Sequence, residues 1–588
     1  MPGSRPSRPS LGHRDAVTPS GPPSPPVLLP IPRGPGLVGP PHDARALLPP
    51  ESPSEPITGG GWTGVVTAAE GIRALFGAGG AALTGRVVVS GTQGEGRGIG
   101  PLILGVGGWE RQVELPCGEV FVERGVLLDS GPALAVEWRR PDGTPPPVLE
   151  VTVFPPEDSG VSAPASELRS PWQEFPLQHS LGGESGVPGI LLLPPGTDPT
   201  RIPPRVLPIQ ARERARYGRS PTPGLQLRTR PGWTEEGGPA QGGLDEAVLM
   251  LDRVATGVDG QRQPAPPFLV GLRDGVPVQA TGSALAELGL AALMAGRHPL
   301  AWSLFETLAR TPASSPIPLL HLANEVAAWT GDLPRLAALR PELDEAVEWL
   351  VQQCGGHGAP DGSGPTAPLP AGWPGPRTTL RRLAQGVERA GGGWRASLLH
   401  QLRRLEEAGA GSPPGARRAL PVLGAKPEAP PSPDTEPPPQ VPKPASFAPV
   451  LDPGQGPRRA LHAARLVRSW VEGVLGATPD VTYGRLELSP DLTPGPGRLE
   501  IRHLRTGDAS VALDYRLDGS TCTLRLFQES GGLPLNLVLH LSVPLEPPLV
   551  VTLGDETVDL PGEPVEGGAR VSLQFPLDPE RRILIERA

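Results

Sequence analysis

Proline is spread so unevenly along this chain that it dictates where a packed core can form. Sixteen of the 83 prolines fall in residues 1–55, and fourteen fall in residues 411–455. Each proline fixes φ and removes a backbone donor, so helices and sheets cannot run through such tracts. The expectation is a disordered tail over 1–55 and a linker over 411–455, too long for an ordinary connection. Folded structure is confined to the stretches between and beyond. With 588 residues in total, those stretches exceed one hydrophobic core, so several domains are expected.

The first stretch carries β signals. Arg86-Val-Val-Val-Ser90, Glu119-Val-Phe-Val122, Leu134-Ala-Val-Glu-Trp138 and Val148-Leu-Glu-Val-Thr-Val-Phe154 are short β-branched or alternating runs punctuated by Gly and Pro. They predict a β-rich, sandwich-like domain over 56–235. A single helix over Ala68–Phe76 is expected to interrupt it.

From Gly243 the apolar period changes to that of a helix. Ser283–Ala295, Pro299–Arg310, Ile317–Trp329 and Glu342–Gln352 each place apolar residues on one face. Gly331 suits the position just past a helix end. Asp332 suits an N-cap, with Pro334 in the following first turn. Two further helices are read at Arg377–Arg389 and Trp394–Ala408, giving a helical domain over 236–410. After the linker, Arg458–Leu475 is amphipathic, with Leu461, Leu466, Trp470 and Val474 facing inward, and residues 456–476 are assigned to the same helical domain. The last region, 477–588, reads as a β-sandwich of about eight strands, with a hairpin turn at Asp518-Gly519. The expected fold class is therefore multidomain α+β.

Composition narrows the function classes. The formal net charge of −9 is mild for this length, and no long basic block occurs, so nucleic acid is not an expected partner. The basic residues are almost all Arg; Lys occurs only at 426 and 443. Cys117, Cys354 and Cys522 lie far apart, which argues against a disulfide framework and for a reducing compartment. No run reaches the ~18 apolar residues of a membrane-spanning helix, and no apolar signal core follows the N-terminal arginines. Cytoplasm is the expected location, without a membrane partner.

Two passages in the helical region resemble bacterial six-hairpin glycosidases near the glycogen-debranching, amylo-α-1,6-glucosidase-like branch. Ala284-Leu-Ala-Glu-Leu-Gly-Leu-Ala-Ala-Leu-Met-Ala-Gly-Arg297 followed by Ala301-Trp-Ser-Leu-Phe-Glu-Thr-Leu-Ala-Arg310 resembles that family's helix pair joined at a Gly-Arg turn. Ile317-Pro-Leu-Leu-His-Leu-Ala-Asn-Glu-Val-Ala-Ala-Trp-Thr-Gly-Asp332, with Glu348-Trp349-Leu350 ending the next helix, resembles its Thr-Gly-Asp helix. Val467–Leu475, Gly484–Pro490 and Leu499–Val511 are similar to its last barrel helix and small β cap. The resemblance covers residues 280–350 and 457–545. It implies an (α/α)6-type helical domain, a C-terminal β cap, and an oligosaccharide or polysaccharide such as α-glucan as partner.

The departures bear on activity. Thr281-Gly282-Ser283 stands where the family carries Gly-Arg-Asp, and Ser314-Ser315 stands where it carries a second Asp. Glycoside hydrolysis needs one carboxylic acid to protonate the leaving oxygen and a second carboxylate opposite. Serine at its ordinary pKa replaces neither. The eight or nine helices read here also fall short of the twelve in a complete toroid. The resemblance thus implies a glycosidase-like protein with a lost or divergent hydrolytic site, active as a glycoside hydrolase if at all. The alternatives are a noncatalytic carbohydrate- or protein-binding protein, or a scaffold recruiting partners through its Pro-rich tracts. The catalytic residues stay unassigned, and no cofactor or metal is implied.

Other candidates read more simply. Arg273-Asp274-Gly275 is a turn. Glu325, beside Asn324, reads as a helix-edge carboxylate in water rather than a cleft acid. Cys354-Gly-Gly-His357 lacks a second pair of metal ligands. Gly91–Gly100 lacks both Rossmann and P-loop spacing and reads as a flexible β loop. Trp302, Trp329, Trp349 and Trp394 have the helical phase of core residues rather than of sugar-stacking platforms.

Overall fold

The structure is a computed structural model. It describes most of residues 55–139, 269–355, 376–410 and 459–588, with short further pieces at 36–38, 45–48, 150–153, 173–176, 189–193 and 225–229 and a few positions between 244 and 251. The chain contains both helices and strands, its sheets are almost wholly antiparallel, and its C-terminal region is strand-rich. The linker of 411–455 lies outside the described residues.

In the N-terminal half an eight-stranded antiparallel sheet runs, in spatial order, Gly36–Val38, Arg45–Leu48, Arg97–Leu104, Gly108–Glu114, Val120–Leu127, Leu134–Arg139, Gly189–Leu193 and Gln173–Pro176. A four-stranded sheet of Glu55–Gly59, Trp62–Thr67, Gly71–Phe76 and Ala82–Thr84 shares its core. Ile57, Val66, Ile72 and Leu75 pack with Leu102, Leu104, Val113 and Val136. Within the stretch 1–55, the proline-free windows Gly36–Val38 and Arg45–Leu48 are strands at one edge of this sheet, and the rest up to residue 54 lies outside the described residues. One expectation needs correction. The helix expected over Ala68–Phe76 is a turn followed by a strand. Gly71 takes φ +70, and the carbonyls a helix would use are engaged elsewhere: Ala68 and Ala69 accept from Arg111, and Ala69 also accepts from the Gly98 amide.

The Gly-rich run after residue 90 forms a hairpin, Val87–Gly91 against Gly94–Glu95, and then enters the next strand. At Gly91, Gly96 and Gly98 the close packing leaves no room for a Cβ. A Cβ at Gly98 would collide with the Ala68 carbonyl.

The helices of the middle include, among the described residues, α1 Ser283–Met294, α2 His298–Arg310, α3 Ile317–Thr330, α4 Leu333–Ala337, α5 Arg340–Gly355, α6 Pro376–Gly386, α7 Gly392–Ala410 and α8 Arg459–Arg468, and Leu244, Ala247, Val248, Met250 and Leu251 are helical as well. A π-helical turn, Ser469–Val474, continues α8. The helix ends follow local chemistry. Gly331 is left-handed after α3, and Asp332 Oδ1 accepts from the Arg335 amide at 3.2 Å to cap α4.

The C-terminal strands form a seven-stranded sheet centred on Arg498–Thr506, Ala509–Asp518, Thr521–Ser530 and Glu580–Arg587, and a five-stranded sheet centred on Leu535–Val543 and Gly568–Leu577. Residues 569, 571, 573, 575 and 577 are buried in strict alternation, so Gly568–Leu577 turns one face inward. Gln226–Thr229, within the stretch assigned by sequence to the N-terminal domain, pairs with Arg498–Thr506. One continuous core joins the helices to both C-terminal sheets, while the N-terminal sheets enclose another. Among the described residues no helix is long and apolar enough to cross a membrane.

Candidate functional site

Helix α3 is apolar on nearly every side, and such a helix belongs inside a bundle. Most of its residues from Ile317 to Trp329 are buried. Against that background His321, Asn324 and Glu325 break the pattern. Their i, i+3, i+4 spacing puts them on one face. His321 and Asn324 are buried, and Glu325 keeps part of its surface open. A polar stripe on a core helix is costly unless neighbours satisfy it.

Two other elements supply those neighbours. Helix α6 packs on α3 at this level, the side Gly386 would extend a Cβ toward lying 3.5 Å from Asn324 Oδ1, and it carries Arg382 one turn earlier. Helix α8 and the π-turn carry Arg468 and Glu472. Arg468 Nη2 donates to Glu472 Oε2 at 3.0 Å and to Oε1 at 3.3 Å. In the π-turn the Leu475 amide reaches back to the Trp470 carbonyl at 3.0 Å, five residues earlier. The added residue per turn re-aims the side chains that follow, and such bulges recur at functional sites.

The electrostatics of the cluster are unusual. Burial raises the pKa of Glu325, and the negative charge of Glu472 raises it further. Arg382, the 3.2 Å hydrogen bond from Asn324 Nδ2 and Arg468 oppose the shift without cancelling it. The carboxyl is therefore enclosed even though the residue retains an opening toward solvent. His321 is pushed down to about 3, first by burial and then by the charges of Arg468 and Arg382, so it is neutral near pH 7. Arg468 and Glu472 keep 17% and 22% of their side chains exposed, so this ion pair is partly solvated. An acid biased toward its neutral form, facing a carboxylate clamped by arginine, can donate a proton or a hydrogen bond into the site.

Glu325 is half-buried on a helix whose other residues are mostly buried, and burial raises its pKa, so its surroundings differ from those of a carboxylate in free water. Ser283 is exposed at the first position of α1, and no side chain caps that helix end. Ser314, Ser315, Asp274, Gly275 and His357 lie outside the described residues, as does the side chain of Cys354. The strands flanking Asp274-Gly275 pair with Arg273 opposite Val276. Trp302, Trp329 and Trp394 are buried, and Trp349 is half-buried. Among the described residues no trio of His, Cys, Asp or Glu is grouped to hold a metal.

Sequence reasoning missed Arg382, Glu472 and His321. Only Arg468–Glu472 left a signal, an i, i+4 ion pair. A depression of about 350 Å³ between α5 and α7 is lined by Asp344, Glu345, Glu348, Ser397 and Gln401. Its acids are half-buried or exposed, and Asp344 is held by Arg340 and Trp394 at 3.0 and 3.1 Å, so it is a solvated groove. Compared with known proteins, the chain matches no protein-family model and no curated protein.

Proposed function

We propose that this chain is a carbohydrate-related protein of six-hairpin glycosidase type, with a divergent site at Glu325 in place of the usual acids. In this reading residues 56–235 form a sandwich-like N-terminal domain. The helices are an incomplete (α/α)6 toroid, and 477–588 form the β cap. The partner is an α-glucan or another oligosaccharide. The turn at Gly296-Arg297 and the left-handed Gly331 followed by the Asp332 cap support the architecture.

The observation that carries the site is the enclosed Glu325 carboxyl, held toward its neutral form opposite the Glu472–Arg468 pair. Glu325 is the group suited to protonate a glycosidic oxygen. Glu472 is suited to stabilise positive charge developing on the sugar. Serine at 283 supports loss of the ordinary machinery, so binding without hydrolysis is the second reading.

Incubation with glycogen, maltodextrins and a panel of aryl glycosides tests this directly. Slow sugar release that disappears in Glu325→Gln supports the divergent enzyme. Saturable sugar binding without release supports the noncatalytic reading. Neither binding nor release of any sugar sinks the proposal.

A further inference from the structure

His503 is the one residue other than glycine at positive φ among the described residues, at +60. A left-handed backbone is costly for an L-residue and persists only where the surroundings hold it. Two bulges meet at this point. Arg502 and His503 together oppose Ala512 alone, and Glu529 is the extra residue between the pairs Val511–Gln528 and Ser510–Ser530. Bulges re-aim side chains, and these two aim theirs at each other across Ala509–Asp518. Glu529 Oε2 accepts from the His503 amide at 2.9 Å, from Ser510 Oγ at 3.0 Å and from His503 Nδ1 at 3.0 Å. Burial works against ionisation of Glu529, but the hydrogen bonds and charge of His503 and the Ser510 hydroxyl outweigh it and hold the pKa at about 2. The group is thus a carboxylate near pH 7. A carboxylate only accepts, so His503 Nδ1 carries the hydrogen and the neutral ring has its lone pair on Nε2. Nε2 has no hydrogen-bond partner among the described residues and opens to solvent, as does 27% of the side chain.

We propose that His503 is a phosphoryl-acceptor site, taking the group on Nε2 from a small acyl phosphate. An imidazole backed by a carboxylate serves either as a metal ligand or as a reacting group. Among the described residues no trio of His, Cys, Asp or Glu is grouped to hold a metal, which leaves covalent chemistry. In the step, the Nε2 lone pair attacks phosphorus. The bond from phosphorus to the acyl oxygen breaks, and the carboxylate leaves with that electron pair. No proton has to move. Nδ1 keeps its hydrogen, and Glu529 stabilises the positive charge the ring gains, as the carboxylate behind a catalytic imidazole does. Arg502 favours an anionic donor over a neutral one. Its Nη1 lies 3.6 Å from Glu529 Oε1, and Glu500 accepts from its Nε at 2.8 Å, so the guanidinium is fixed beside the imidazole with 32% of its side chain exposed. Arginine's planar fork matches phosphate oxygens.

The test is incubation of the full chain with acetyl phosphate at pH 8, then peptide mass spectrometry for phosphate that acid removes and base does not. His400, exposed on α7, and His540, with 37% of its side chain exposed, are references within the same molecule. His503 should be labelled about tenfold faster than either, and Glu529→Gln should bring it down to their rate. Arg502→Gln should slow labelling by acetyl phosphate but not by the uncharged reagent diethyl pyrocarbonate. His503→Asn keeps a residue that tolerates the left-handed backbone, so it should lose the label with an unchanged urea midpoint. Labelling of wild-type His503 no faster than that of His400 and His540 overturns the proposal, whatever the variants do. An undiminished rate in Glu529→Gln overturns it as well.

Discussion

Glu123 offers the sharpest test of how the N-terminal core is held. It is 2% exposed and accepts four hydrogen bonds: from Arg111 Nε at 2.6 Å, Arg111 Nη2 at 3.0 Å, Trp109 Nε1 at 3.1 Å and Trp138 Nε1 at 3.0 Å. Arg111, 3% exposed, also donates to the carbonyls of Ala68 and Ala69. Glu123→Leu would leave a buried guanidinium without its counter-charge, a loss of about 3–5 kcal/mol. Two buried indole donors are stranded as well, at about 1–3 kcal/mol each if the protein cannot relax. The expected total is at least ~4 kcal/mol, a large part of the ~5–15 kcal/mol that holds a typical domain. The double variant Arg111→Met/Glu123→Leu removes the orphaned charge, so it should be more stable than Glu123→Leu alone despite carrying two substitutions. Urea unfolding followed by near-ultraviolet circular dichroism gives the free energies. Hydrogen exchange over Gly108–Glu114 and Val120–Leu127 localises the loss to this sheet. A cost under about 1 kcal/mol for Glu123→Leu, or a double variant less stable than that single one, would refute the reasoning.

Two further outcomes follow from the same physics. Gly125 lies directly across from Trp109 in the sheet, and a Cβ there would fall within the indole ring. Gly125→Ala should therefore displace Trp109 and cost about 1–3 kcal/mol or more, read as a lower urea midpoint; an unchanged midpoint contradicts the packing. His298 is 7% exposed, its Nε2 has no hydrogen-bond partner, and its pKa is lowered to about 4 by burial and by the charge of Arg505, against a hydrogen bond to the Arg505 backbone. The folded value lies below the ordinary 6.5, so the unfolded chain takes up the proton first as pH falls. Stability is full above pH 6.5 and declines toward pH 4, by up to about 3 kcal/mol. His298→Gln should flatten that decline in urea midpoints measured across the window, and an equal slope in both proteins would rule the assignment out.

Much of the fold could be read before any coordinates because the strands and helices obey one periodicity each. The hairpin turn expected at Asp518-Gly519 joins the strands Ala509–Asp518 and Thr521–Ser530, and α3 differs from its expected range by one residue. The failure at Ala68–Phe76 has a definite cause. Ile72, Leu75 and Phe76 carry helical spacing, but the backbone there is governed by Arg111, more than forty residues away. Long-range capture of two carbonyls outweighs a local preference worth only tenths of a kcal/mol per residue. The tail strands went unread for the opposite reason. Average composition hides a three- or four-residue window that needs only a neighbouring strand to pair.

The candidate site was less legible, and for a topological reason. Its charged groups come from residues 321–325, 382 and 468–472, three helices separated by Pro-rich stretches. Within α3 alone Glu325 looks like any polar residue on a helix. What changes its chemistry is the coverage of α3 by other elements, and coverage is a property of the whole bundle. A local clue existed nonetheless. Apart from His321, Asn324 and Glu325, the run from Ile317 to Trp329 is entirely apolar or Pro. Helices that are apolar all round are interior helices. Once α3 is recognised as interior, its one polar face must either be neutralised by partners or face a cleft. The resemblance places the family's acids at 283 and 314–315, at or just before helix starts. The carboxyl with the altered proton affinity stands mid-helix, where burial by the surrounding elements acts on it.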